Sequence, residues 1–126
     1  MGYTRETLRA ECDPVRVRAE VARLHAERLA RRKPPVGCGD LAAQSEFALW
    51  MAGWHERYRA QQLLLVEWAR CTGQPAEMRR AIYEKEREAF AKCLIARARA
   101  AQWQREAVQR AIRLSAGPGL TARSAA

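Results

Sequence analysis

What most limits this chain is how rarely its helix-forming sequence is interrupted. Between Asp40 and Gly117 the clearest break is Thr72-Gly73-Gln74-Pro75, which pairs a helix-ending glycine with a proline fit to open the next helix. On both sides of it Ala, Arg, Leu, Glu and Gln dominate, and these lose little conformational freedom in a helix. Two long helices joined by so short a link must fold back on each other. Strands are excluded by the same pattern: β-branched residues are sparse and no stretch alternates apolar with polar over several residues.

Other punctuation completes the outline. Asp13-Pro14 reads as an N-cap followed by proline at the first helical position, and Asp40 as a second N-cap. Lys33-Pro34-Pro35-Val36-Gly37-Cys38-Gly39 is a loop, and Gly117-Pro118-Gly119 is expected to end the last helix. The sequence therefore predicts one all-α domain over residues 1–126: a three-helix, up-down-up assembly built on a long antiparallel helical hairpin. Its helices span about 14–33, 41–71 and 75–115, with a short turn over 4–12 and a loose tail over 116–126.

The helix faces differ. The first has a solvated stripe, Arg16, Glu20, Arg23, Glu27 and Arg31, with Glu27 expected to pair with Arg31; Val17, Val21 and Leu24 flank it on one side, and Val15, Ala22, Ala26 and Leu29 on the other. The second carries an aromatic stripe, Phe47, Trp50, Trp54, Tyr58 and Trp68, that keeps phase across Gly53. This predicts one continuous helix with a core face. The third has two seams. One is small, with Ile82, Ala89, Cys93, Ala96, Ala100, Trp103, Ala107 and Leu114; the other is bulkier, with Tyr83, Phe90, Leu94, Ala101, Val108 and Ile112. An alanine seam permits close approach and a bulky one fills a wider groove, so this helix calls for two neighbours.

Charge and chemistry narrow the function. The net charge is +9, with 23 basic residues of which only Lys33, Lys85 and Lys92 are lysine. It is carried by the ends: residues 1–33 contribute +4, residues 34–75 contribute −1 and residues 76–126 contribute +6. Arginine favours bidentate contacts to phosphate or carboxylate, although abundant Arg and Ala are also what a GC-rich genome encodes. No catalytic constellation is visible. His25 and His55 are the only histidines, the carboxylates mostly have Arg neighbours at helical spacing, and no glycine-rich phosphate loop exists. Cys12, Cys38, Cys71 and Cys93 form neither a CxxC nor a paired CX9C pattern, so they read as reduced thiols and no metal site or cofactor is expected. The longest apolar run, Leu63-Leu64-Leu65-Val66, is far too short to cross a membrane, and no secretory h-region is seen. An intracellular location, cytoplasm or an organelle such as the mitochondrion, is the expectation.

These observations point to a non-enzymatic accessory or scaffolding subunit that docks into a larger protein assembly. A respiratory complex or a ribosome-like particle would suit a small basic subunit, and no residue selects either. The third helix should outrun the second, with Leu41 opposite roughly residue 105, leaving residues 103–114 as an exposed docking ridge. The expected interface is Trp103, Val108, Ile112 and Leu114 bordered by Arg105, Arg110 and Arg113. The alternative is a nucleic-acid-binding protein that tracks phosphates with Arg31, Arg32, Lys33, Lys92, Arg99, Arg110 and Arg113.

Overall fold

A computed structural model describes residues 10–35 and 39–125, with side chains placed up to residue 116. It contains three long helices, α1 (Pro14–Ala30), α2 (Leu41–Cys71) and α3 (Ala76–Ala125). No strand occurs among the described residues. The expected turn over 4–12 falls mostly outside the described residues.

The caps form as the sequence implies. Asp13 Oδ1 accepts the Val15 amide at 3.1 Å with Pro14 in the first turn, and Asp40 Oδ1 accepts the Ala43 amide at 3.1 Å. At the hairpin turn Gly73 takes φ +63°, and the Gln74 amide reaches back to the Ala69 carbonyl at 3.1 Å. That left-handed residue followed by a long backward bond is a Schellman ending, which satisfies a terminal carbonyl of α2. Pro75 lies just outside α3, where its carbonyl accepts the Arg79 amide at 3.0 Å.

Two helix ends differ from expectation. The first helix stops at Ala30, so Arg31, Arg32 and Lys33 lie in the connection. Proline at 34 disfavours the helical region for the residue before it, and the helix unwinds three residues earlier still. The last helix passes through Gly117-Pro118-Gly119 to Ala125 instead of stopping near 115. A single proline lacks only its own amide donor, and glycine is costly in a helix but not forbidden, so the backbone can continue between good helix formers.

α2 and α3 form the antiparallel hairpin, and α1 lies along α2. The hairpin closes on small residues: Ala48 and Ala52 meet Ala96 and Ala100, with Trp103 against them. Alanines let the two backbones approach closely. Ion pairs cross the same interface, Arg59 to Glu86 at 3.2 Å and Arg97 to Glu56 at 2.6 Å, while the Arg59 guanidinium lies 4.1 Å from the Phe90 ring centre.

The α1–α2 contact is built on Trp54, which is 2% exposed. Its indole Nε1 donates to the Leu24 carbonyl at 2.6 Å. A helical carbonyl has a second lone pair, so Trp54 ties α1 down without breaking its ladder. Leu24 is buried there, Val17 is buried about two turns earlier on α1, and His25 and Tyr58 pack on the indole. The other apolar flank of α1 is left in solvent, with Val15 and Leu29 both exposed. Glu27 does not pair with Arg31. It bonds Arg23 on its own helix and Arg57 of α2, and Arg31 reaches Glu46 instead.

Candidate functional sites on two flanks of the long helix

α3 presents a different surface on each side of its contact with α2. The small seam is covered: Ala89, Cys93, Ala96 and Ala100 are all buried. The bulky seam, about 100° round the helix from it, is covered only in part, with Phe90 and Ala101 half-buried. Tyr83, Leu94, Val108 and Ile112 are exposed, the last two at 58% and 60%. Leu49 and Leu63 of α2, also exposed, fall on the same side of the hairpin by helical phase. α1 packs on the opposite side, so nothing in this chain's described residues covers these exposed side chains. Arg87 and Arg105 border its outer edge by phase, and the Arg97–Glu56 and Arg59–Glu86 pairs border its inner edge.

The expected interface residues do not form one patch. Val108, Ile112 and Arg105 share the seam. Trp103 is about 140° away from Val108 at 100° per residue, half-buried against the alanine cluster. Leu114 is exposed, but it lines a shallow depression with Leu41, Arg110 and Arg113. Arg110 donates to the Gly39 carbonyl at 3.1 Å. Leu41 therefore lies by Glu106, Gln109 and Arg110, up to about one turn further along α3 than residue 105.

On the other flank the three helices enclose a groove of about 530 Å³. The end of α1 and the following connection supply Arg28, Arg31 and Lys33. α2 supplies Phe47, Met51 and His55. α3 supplies Arg99 and Trp103 across a floor of Ala48 and Ala96. No carboxylate lines it. The Arg28 guanidinium lies 4.8 Å from the Trp54 ring centre and Arg31 lies 5.5 Å from that of Trp50. Arg31 also meets Glu46 at 3.4 Å, whereas Arg28, Lys33 and Arg99 are ion-paired to no described residue. Burial, and then the charges of Arg28 and Lys92, push the His55 imidazole below its ordinary pKa.

Of the residues marked out for phosphate contact, this groove gathers Arg31, Lys33 and Arg99, with Lys92 close enough to act on His55. Arg32 opens onto a neighbouring depression, and Arg110 and Arg113 lie further along α3. The sequence missed Arg28, His55 and the aromatic wall. Periodicity tells which residues share a face of one helix, but not how α1 is rotated against α3.

Cys12 and Cys93 are buried and Cys71 is exposed, all three as free thiols, while Cys38 is outside the described residues. Burial, and then the neighbouring Cys71, Glu67 and Glu11, push the Cys12 thiol above its ordinary pKa, since α1 runs antiparallel to α2 and brings Cys12 to the end of α2 that carries Cys71. Among the described residues no group of metal-ligating side chains assembles, and no helix is long and apolar enough to cross a membrane.

Comparison with family models, with curated proteins and with solved structures finds no significant match for this chain. The fold class is that of an all-α helical hairpin with a third helix laid along one side.

Proposed function

We propose that this protein is a non-enzymatic accessory subunit that docks into a larger assembly through the bulky seam of α3. The observation carrying this reading is the exposure of Tyr83, Leu94, Val108 and Ile112 in a single row beside the buried Ala89, Cys93, Ala96 and Ala100. Large apolar side chains at near-heptad spacing with no partner are the mark of a helix that packs against another helix.

Charge selects the occupant. The seam's outer edge is bordered by Arg87 and Arg105, its inner edge by the Arg97–Glu56 and Arg59–Glu86 pairs, and the chain carries +9. A second copy would bring like charges edge to edge, which is destabilising in such packing. The fitting partner is an amphipathic helix whose apolar stripe is flanked by Asp and Glu. A buried core with a complementary charged rim gives both affinity and choice of partner.

The test places a photo-crosslinking side chain at Leu94 or at Val108 in the full chain, expressed in its native cells. Both positions should capture the same protein, one with an acidic amphipathic helix, and a probe at Glu88 on the outer face should not. Val108→Asp with Ile112→Asp should abolish capture while the helical spectrum stays intact. Unfolding of that variant would show the seam to be internal core. Crosslinking to a second copy of this chain would overturn the acidic-partner reading.

A further inference from the structure

The groove on the other flank of α3 is a separate feature, and the docking proposal makes no use of it. Its chemistry is selective in two ways. Arg28, Arg31, Lys33 and Arg99 put four cations around a concavity with no lining carboxylate. A cleft lined by one sign of charge concentrates the field and attracts anions. Three of those cations are left without an ion pair to a described residue, so a ligand would not have to displace a protein carboxylate from them.

The second requirement comes from the walls. Phe47 and Trp103 are half-buried planar rings and Met51 is a half-buried thioether, facing a floor of two alanines. A long alkyl chain would need a deep apolar tunnel, whereas this is an open groove between rings. Flat walls of this kind suit a flat, apolar-faced group, and aromatic stacking on a base does not depend on which base it is. The volume of about 530 Å³ is within the range of small-ligand sites. No single helix makes the site. α1 and its following connection bring three cations, α2 brings one ring, and α3 brings the fourth cation and the second ring.

We propose that this groove binds a nucleotide, with the phosphate held by Lys33, Arg99 and Arg28 and the base stacked between Phe47 and Trp103. The ligand could be free or part of a single strand, and the two sources share this chemistry. Contacts from cations to phosphate oxygens are charge-assisted hydrogen bonds, with arginine able to grip two oxygens at once. The His55 imidazole, whose pKa is lowered by burial and then by the charges of Arg28 and Lys92, stands at the groove wall, where its ring nitrogens can hydrogen-bond a ligand.

The experiment follows tryptophan fluorescence of the full chain on titration with AMP, with a short single-stranded oligonucleotide and with inorganic phosphate. Lys33→Gln with Arg99→Gln removes two exposed cations that make no ion pair to a described residue. Arg79→Gln with Arg80→Gln removes the same charge at the turn end of the hairpin, outside the groove. The groove pair should weaken nucleotide binding by roughly tenfold or more, and the control pair far less. If the ligand is a strand, the groove pair should also flatten the salt dependence by roughly 0.7 per lost phosphate contact. Phe47→Leu, which keeps the apolar volume and loses the ring, should weaken binding while leaving the melting temperature close to that of the parent. Saturation by AMP identifies a free nucleotide, and saturation by the oligonucleotide alone identifies a strand; either supports the site. Equal losses in the groove and control pairs, indifference to Phe47→Leu, or no saturable binding would overturn it.

Discussion

Trp54 shows how much of this fold one side chain can decide. It is buried between α1 and α2, donates to the Leu24 carbonyl and is stacked on by Tyr58. Trp54→Ala should therefore cost about 3–5 kcal/mol, the scale of large-to-small core changes, in denaturant unfolding. Trp54→Phe keeps most of the packing and loses the bond, so its cost should be about 1 kcal/mol. An unchanged melting temperature for the alanine variant would mean that α1 is not held by this residue. His55 gives a second residue-scale outcome. Its pKa is lowered first by burial, then by Arg28 from α1 and Lys92 from α3. As pH falls below the ordinary value near 6.5, the unfolded chain takes up a proton that the folded chain resists, so stability is lost in that window and is flat above it. Melting at pH values about one unit above and one below 6.5 should fall less for His55→Gln than for the parent. Equal falls would assign the acid sensitivity to other groups.

At the level of elements, two glycines with opposite roles test the helix boundaries. Gly73 ends α2 at φ +63°, where a side chain is strained, and Gly73→Ala should destabilise by about 1–2 kcal/mol. Gly53 is inside α2 with open space where a Cβ would stand, so Gly53→Ala should stabilise by about 0.5–1 kcal/mol. Chemical unfolding of both variants checks the pair; a loss at Gly53 would mean that the helix is not continuous there. These boundaries were legible because caps and breakers act locally: Asp13, Asp40 and Gly73 each stand where their short-range chemistry puts them. The buried alanine seam of α3 was legible too, since its period is a property of one helix. The ends of α1 and α3 were not. Whether a helix unwinds before Pro34 or continues past Pro118 depends on small differences between good helix formers and one missing amide. Trp103 and Val108 lie close in sequence, but helical phase sets the two on different sides of α3.

The whole molecule keeps its two candidate surfaces apart. The bulky seam and the cationic groove share no residue, lie on opposite flanks of α3, and are separated by the alanine contact with α2. α1 is responsible for the asymmetry. It carries Arg28 to the groove and leaves the other side of the hairpin bare. No sequence period encodes that choice, which is made by Trp54 reaching the Leu24 carbonyl across the helix pair. Substitutions on the two flanks should then be energetically independent. Val108→Asp with Ile112→Asp and Lys33→Gln with Arg99→Gln, combined in one chain, should change unfolding free energy by the sum of their separate effects to within about 0.5 kcal/mol. Charge is the one route by which they could still communicate. At physiological ionic strength the screening length is about 8 Å, so aspartates on the seam should barely alter binding of an oligonucleotide probe in the groove. In dilute buffer the screening length grows to about 30 Å, and the same aspartates should weaken that probe measurably by lowering the overall positive potential. An affinity loss that persists unchanged at physiological salt, or a clear departure from additivity, would mean that the two flanks are one surface.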